Sequence, residues 1–213
     1  MRLKIPNKYQ IGACSTLSSL TFLAPSLSPS EASLKEMWVE PVPRDFAKSF
    51  VEQYHNMHKY LTAYTTLGLF CPSGVLGVDC YKLGPHAGFA EAMSKKLYSN
   101  KQVWLANQSC ILPGCPPNTM GVFTARSIKY IKKHFSGVRL LVTWVNATLG
   151  EVGGFIKGTN WLYIGTSTFP DGHTVHRYLY PLGYEWERKE ILERWKDSIQ
   201  PYPVRKEQSG LTG

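Results

Sequence analysis

The most constraining feature of the sequence is an alternation of strand-like and helix-like segments between residues 103 and 164. Val103 to Leu112 and Val138 to Val145 are apolar runs rich in strand-forming side chains, which is typical of buried strands. Between them lies a predicted helix, capped by Asn118 or Thr119, whose apolar residues at helical spacing are Val122, Phe123, Ile128 and Ile131. Strand, helix and strand in this order predict an α/β fold with a mixed central sheet flanked by helices.

The region before this unit predicts a helix and a hairpin. Apolar residues recur at helical spacing from Arg44 to Leu61, with His55 and His58 near the end of the segment. Two strand patterns follow, Thr66 to Phe70 and Val75 to Leu83, and the turn sequence Cys71-Pro-Ser-Gly74 joins them. Residues 84–100 are polar and predict a loop with a short helix around Phe89 to Tyr98.

The region after it continues the pattern. The glycine-rich stretch Gly150 to Gly158 has weak helical character. Strands are predicted at Trp161 to Ile164 and Val175 to Tyr180, and a charged helix at Trp186 to Ile199.

Length and composition indicate a single domain. A chain of 213 residues that is 43% hydrophobic can bury one core. We expect this domain to span residues 34–205, between a disordered tail over residues 1–33 and a short tail over 206–213. The apolar run Ile11 to Ala24 imitates a secretory signal, but serine and threonine interrupt it and it lacks a convincing cleavage site. No run approaches the roughly 20 apolar residues of a membrane span, so no membrane partner is expected.

The cysteines indicate the cellular compartment of the protein, and its net charge indicates the class of binding partner. The five cysteines are odd in number and contain no CxxC pair, which argues against a disulfide framework or a zinc knuckle and favours a reducing cytoplasm. Lys and Arg number 24 against 15 acids, for a net charge of +9. This balance favours nucleic acid, a phosphorylated cofactor or an anionic membrane, and fits a generic basic protein equally well.

The segment Ile111 to Gly121 has the form that an acyl-CoA site requires. A strand, a tight loop and a helix start would offer amide groups to a pyrophosphate and an open strand edge to the pantetheine arm. The candidate cofactor-binding residues are Leu112, Asn118, Thr119 and Gly121. Glycine spacings common in such loops are absent, so an ordinary strand-to-helix connection fits the local pattern as well.

A family resemblance extends this interpretation. The run Val142 to Gly165 resembles the signature of the Mom-type DNA modification proteins of bacteriophages, most specifically in Gly158-Thr-Asn-Trp-Leu-Tyr-Ile-Gly165. Tyr54-His55 falls where that family carries a Tyr-His pair, and the similarity runs from about Trp38 to Arg205. The resemblance implies a GNAT-like fold, an acetyl-CoA-related cofactor, and modification of a base in phage DNA, in the host cytoplasm, that protects it from host restriction.

Two positions depart from the family pattern. Asn146 stands where the family ends a strand with Asp, and Glu151 stands where it has His. The substrate is therefore either adenine, as in the Mom-type reaction, or an amine on a modified thymine such as 5-aminomethyl-deoxyuridine, which needs only N-acetylation. A third interpretation is a non-catalytic DNA- or protein-binding antirestriction module that keeps the fold.

Amine acylation defines the catalytic candidates. The enzyme must deprotonate an ammonium, polarise the thioester carbonyl and protonate the leaving thiolate. Glu151 and His55 are candidates for the base, Tyr163 for the proton donor, and Asn146 for a role at the strand end. Each also has a structural interpretation: Glu151 as a helix cap, His55 as a polar residue at a helix end, Tyr163 as a core aromatic.

DNA contact requires cations for phosphate and walls for an extruded base. Trp144 and Trp161 are candidate stacking surfaces, and the further candidates for substrate contact are Tyr54, Lys157 and Asn160. For metals, His55 and His58 are three residues apart, but His173 and His176 in another loop give weak support, so no metal site is predicted. The resemblance leaves iron as an open alternative for a cofactor, which the spacing of the histidines does not support.

Overall fold

The structure is a computed structural model that describes residues 28–204. Its strands are β1 Trp38–Pro41, β2 Thr65–Cys71, β3 Gly74–Leu83, β4 Val103–Ile111, β5 Leu140–Asn146, β6 Leu162–Thr168 and β7 Thr174–Pro181. Its α-helices are α1 Arg44–Tyr54, α2 Ala87–Ser94, α3 Thr119–His134, α4 Gly154–Lys157 and α5 Glu185–Trp195. Short 3-10 turns lie at Pro29–Glu31, Ala147–Leu149 and Lys196–Ser198.

All seven strands form one sheet in the order β1-β2-β3-β4-β5-β7-β6. Neighbouring strands are antiparallel except β4 and β5, which are parallel and joined through α3. Side chains alternate along β5, so Leu141 packs in one core with Ile128 and Ile131 of α3, while Val142 packs in a second core with α2 and α5. The predicted α/β fold, a mixed sheet flanked by helices, is confirmed.

The predicted helix from Arg44 to Leu61 is too long. Helix α1 ends at Tyr54, and the next residue, His55, has an extended backbone with ψ 141°. Gln108 of β4 is buried, accepts a hydrogen bond from the Leu61 N–H at 2.6 Å and donates one to the Lys59 carbonyl at 2.7 Å. Residues 55–64 therefore form a loop that is attached to the sheet.

The described residues begin shortly before the predicted domain start at Leu34. Pro29–Glu31 form a 3-10 turn, and Arg126 of α3 donates a 2.8 Å hydrogen bond to the Leu34 carbonyl. Residues 1–27, including Cys14, and residues 205–213 lie outside the described part. Within residues 28–204, no helix is long and apolar enough to cross a membrane.

The family-like signature at Gly158–Gly165 leads into β6 and forms a bulge there. Tyr163 pairs with Tyr178 and Thr166 with His176, so β6 carries one extra residue between these pairs. Gly165 has φ +87°, and a Cβ there would lie 3.1 Å from the Gln200 amide nitrogen. Residues 200–202 pack against the same strand, since the Gln200 N–H donates to the Tyr163 carbonyl and the Tyr202 hydroxyl to the Trp161 carbonyl.

Substitution Gly165→Ala is expected to lower the free energy of unfolding by about 2 kcal/mol, since a left-handed non-glycine residue costs roughly 1–3 kcal/mol. The added methyl group would also press on Gln200. Urea denaturation of the full chain measures the change. Gly137→Ala is the matched control, because a Cβ there meets nothing within 4 Å, and equal losses in both variants would contradict the bulge argument.

Candidate active site

Strands β4 and β5 diverge at their carboxyl ends. They pair at only four positions, from Val103 with Leu140 to Ala106 with Thr143. The Thr143 hydroxyl donates a 3.0 Å hydrogen bond to the Ala106 carbonyl at the last pair. Beyond it β4 continues to Ile111 and β5 to Asn146, and within the described chain no ladder joins these ends. The result is a V-shaped opening with free backbone edges on both walls.

A bulge at Asn107 marks where the opening begins. Across β3, Tyr81 pairs with Ala106 and Cys80 with Gln108, which leaves Asn107 as an extra residue in β4. Such a bulge bends its strand locally and re-aims a side chain. The side-chain amide nitrogen of Asn107, Nδ2, is buried and has no hydrogen-bond partner among residues 28–204. Buried donors of this kind are uncommon and point to a missing partner such as a ligand.

A cleft of about 560 Å³ occupies this opening. Four segments line it, namely residues 54–57 after α1, 106–110 of β4, 143–146 of β5 and 149–155 before and within α4. Among the predicted site residues, it brings together Tyr54, His55, Trp144, Asn146 and Glu151. They come from two segments, residues 54–55 and 144–151, that are about 90 positions apart in the sequence and meet in this cleft.

A hydrogen bond crosses the cleft between two of its walls. The Asn56 side-chain amide donates to Glu151 Oε1 at 2.9 Å, so the loop after α1 is joined to the turn after β5. Glu151 is exposed and its carboxylate lies at the cleft. It is therefore accessible to a substrate and oriented by Asn56.

The protonation of His55 follows from its surroundings. Burial, with a smaller contribution from nearby His58, lowers the pKa of His55, which favours the neutral ring at neutral pH. Its Nδ1 accepts a 3.2 Å hydrogen bond from the Met57 N–H. A neutral imidazole that accepts at Nδ1 carries its proton on Nε2. In this state His55 is a hydrogen-bond donor at Nε2, and not a base.

Asn146 shapes the turn that follows β5. Its side-chain oxygen accepts a 3.3 Å hydrogen bond from the Leu149 N–H, and its carbonyl accepts one from the Glu151 N–H at 3.2 Å. Asn146 therefore caps the Ala147–Leu149 turn and places Glu151. The neighbouring Trp144 is half-buried, with edge-to-face contacts to Phe89 and Phe169 at 5.7 and 5.5 Å.

Several predicted site residues lie away from the cleft. Trp161 is only 2% exposed and lies in the core, so its ring presents no open face to the cleft. Tyr163 is buried, and its hydroxyl lies 2.9 Å from His176 Nδ1 in β7 instead of lining the cleft. Lys157 and Asn160 are exposed but do not line the cleft either.

The segment predicted to bind the cofactor connects β4 to α3, and the structure places its four candidate residues as follows. The Leu112 N–H donates to the Leu76 carbonyl at 2.7 Å, so it is not free for a ligand. Asn118 occupies the N-cap position with φ +68°, but its side chain forms no capping hydrogen bond in the described structure. Thr119 begins α3, and its hydroxyl donates to the Pro116 carbonyl. Gly121 has open space, since a Cβ there would meet the Phe155 carbonyl at 3.8 Å.

Residues 36–170, more than half of the sequence, match the model that describes the Mom protein family. The chain belongs to the Mom protein family. A comparison with curated proteins finds no match for this Mom family chain.

Solved structures show the fold of this Mom family member. Spermidine/spermine N-acetyltransferase SpeG from Vibrio cholerae has a TM-score of 0.52 at 10% identity, over 73% of this chain and 98% of SpeG. AAC(6')-Ib, in complex with paromomycin and acetyl-CoA, has a TM-score of 0.52 at 7% identity, over 72% of this chain and 96% of its own. At these identities the likeness shows the fold, which is that of the GNAT acetyltransferases, as predicted.

Sequence reasoning missed several polar residues of the Mom family cleft. Asn107, Gln108 and Ser109 are consecutive polar residues in an otherwise apolar strand, and that interruption was the available signal. Ser109 lines the cleft and donates to the buried Asp79 carboxyl group at 2.5 Å, and the Tyr81 hydroxyl donates to its other oxygen at 2.5 Å. The hydrogen bonds among Ser109, Asp79 and Tyr81 therefore connect β3 to β4 next to the cleft.

The buried acid predicts a pH effect on stability. Burial raises the pKa of Asp79, against the opposing effect of the hydrogen bonds from Ser109 and Tyr81. Because the pKa of Asp79 is higher in the native state, Asp79 contributes most to the free energy of unfolding below its unfolded pKa of about 4. This contribution is lost as the pH rises through the native pKa. The unfolding free energy of wild type relative to Asp79→Asn is therefore expected to fall as the pH rises through the range above about 4. Urea denaturation across this range measures it, and a constant difference would contradict the assignment.

The described residues of this Mom family protein offer no cluster of metal ligands. Residues 28–204 contain no group of three or more His, Cys, Asp or Glu side chains that could hold a metal ion.

Proposed function

We propose that this Mom family protein transfers an acyl group from acyl-CoA to a base in phage DNA. The base is adenine or an amine-bearing modified thymine such as 5-aminomethyl-deoxyuridine. The observation that carries the proposal is the separation of β4 from β5 at the Asn107 bulge, with Gly121 in the first turn of α3 next to Phe155 of the cleft wall. A cleft with two free strand edges and a nearby helix N-terminus suits a long, amide-containing cofactor with a pyrophosphate.

The residues present fit acyl-CoA. The edges of β4 after Ala106 and of β5 after Thr143 have free backbone groups for the pantetheine amides. The Thr119 N–H donates to the Pro116 carbonyl, but the next amide groups of α3 have no side-chain cap from Asn118, and Gly121 leaves room for a phosphate to approach. The buried amide nitrogen of Asn107 supplies a further donor. When bound, acyl-CoA supplies the activated thioester.

The cleft residues divide the acid–base work. Glu151 accepts a proton from the attacking amine, because its exposed carboxylate lies at the cleft and Asn56 orients it. His55 offers its Nε2–H as a hydrogen-bond donor to developing negative charge, as its tautomer requires. The leaving thiolate then takes up the proton that Glu151 has accepted, or one from solvent, and Tyr163 is not assigned this role because it does not line the cleft.

The charge distribution supports an acidic macromolecule as substrate. Helix α3 contains no acidic residue, and Lys129, Lys132 and Lys133 are exposed on it. Two other basic residues are already engaged, Arg126 with the Leu34 carbonyl and Arg139 with Glu187 at 2.9 Å. The lysines of α3 are therefore the better candidates for phosphate contact. The host cytoplasm suits both this substrate and the free cysteines of the described chain.

Radiolabelled acetyl-CoA tests the proposal directly. The protein is incubated with the labelled cofactor and synthetic DNA that contains the four ordinary bases and 5-aminomethyl-deoxyuridine, and the nucleosides are then analysed by mass spectrometry. A new acyl mass on adenosine or on the thymidine derivative is the expected result. Binding of DNA without any binding of acyl-CoA would reject the enzyme and support the non-catalytic module.

A further inference from the structure

Two exposed apolar side chains flank the mouth of the cleft. Met57 is 55% exposed on the loop after α1, and Leu149 is 63% exposed on the turn after β5. Both line the cleft, from the two walls that the Asn56–Glu151 hydrogen bond joins. Single exposed apolar residues are common, but a pair that faces the entrance of a reactive cleft calls for a partner surface.

Leu149 is held in place by its turn. The Leu149 N–H donates to the Asn146 side chain, and the Thr148 hydroxyl accepts a 2.8 Å hydrogen bond from the Thr174 N–H of β7. The next residue, Gly150, adopts φ +73° and donates to the Ala147 carbonyl at 3.0 Å. The turn is therefore braced on both sides, and the exposed leucine is presented with little backbone freedom to lose on binding.

We propose that Leu149, with Met57 opposite, inserts into the base stack of duplex DNA and holds the target base in the cleft. The inference rests on the proposed function, in which the substrate is a DNA base. A base paired inside a duplex cannot reach a carboxylate in a cleft between two strands, so it must leave the stack. Apolar side chains such as leucine and methionine serve as wedges between bases, because they replace the lost stacking contacts. Glu151, two residues after Leu149, would then face the extruded base.

A comparison of duplex and single-stranded substrates separates the effect of Leu149 insertion from the other steps of acyl transfer. The same sequence is offered in both forms with labelled acetyl-CoA, and the ratio of the duplex rate to the single-strand rate is measured. In Leu149→Ala this ratio is expected to fall about tenfold, because only the duplex requires unstacking. A mismatch opposite the target base should restore most of the ratio, since the base is then already poorly paired. Leu192→Ala removes another exposed leucine, 41% exposed on α5, and should leave the ratio unchanged.

The outcomes separate this inference from the proposed function. An unchanged ratio in both Leu149→Ala and Met57→Ala, with acylation of DNA intact, overturns the wedge and keeps the enzyme. An equal fall in Leu192→Ala also overturns it, since the effect would not belong to the cleft. If wild type acylates neither form of DNA, the proposed function fails, and the wedge with it.

Discussion

Glu151→Gln is expected to lower the rate of acyl transfer by about 100-fold or more, with acyl-CoA affinity unchanged. Removal of a positioned general base typically costs 10²–10⁴ in rate. The amide has nearly the same size as the carboxylate and can still accept the hydrogen bond from Asn56 through its oxygen. The loop after α1 should therefore stay attached to the turn after β5. The rate of acyl transfer should then fall only because the proton acceptor is missing.

Two measurements make this result specific. Single-turnover rates with saturating acyl-CoA report the chemical step, and thermal stabilisation by acyl-CoA reports binding. Glu91→Gln is the matched control, because it makes the same change at an exposed position on α2 outside the cleft. Wild-type rates in Glu151→Gln would remove Glu151 from the catalytic assignment and leave the base unidentified.

Gly121→Asp is expected to raise the dissociation constant for acyl-CoA at least tenfold, roughly 1.4 kcal/mol of binding free energy. The substitution places a carboxylate in the first turn of α3, where the proposed pyrophosphate would lie. A carboxylate in a first helical turn interacts favourably with the helix dipole, so the fold should not suffer. Repulsion between like charges then remains as the cause of the loss.

Gly121→Ala distinguishes charge from size. A Cβ at this position meets the Phe155 carbonyl at 3.8 Å, which is ordinary van der Waals contact, so alanine should fit and bind acyl-CoA with little change. Isothermal titration calorimetry with acetyl-CoA at low and high salt measures both variants. Salt should reduce the deficit of Gly121→Asp. Equal affinities for wild type and Gly121→Asp would place the pyrophosphate elsewhere.

The most specific part of the family signature lies outside the candidate site. Gly158–Gly165 is the segment that resembles the family most specifically, yet it builds the β6 bulge against residues 200–202. Trp161 and Tyr163 of that segment are buried in the core. The signature is therefore explained by packing, with Gly165 required by its φ of +87°. The residues that line the cleft come from other segments.

The sequence alone determined the elements and their order. Alternation and helical spacing are local properties, so the hairpin of β2 and β3, the strand at Leu140–Asn146 and the helix α3 could be predicted from neighbouring residues. The polar candidates His55, Asn146 and Glu151 were also named from sequence, through resemblance and residue chemistry, and the structure brings them together.

Only the tertiary structure decided where helix α1 ends and which polar groups share the cleft. Gln108 holds the loop after α1 through a hydrogen bond to a residue 47 positions away, and Asn56 reaches Glu151 across 95 positions. The bulge at Asn107 depends on its pairing with β3, and Trp161 is buried by residues from several elements. Interactions between distant residues leave no periodic pattern in the sequence, because they depend on how the strands are placed against one another and not on the residues next to them.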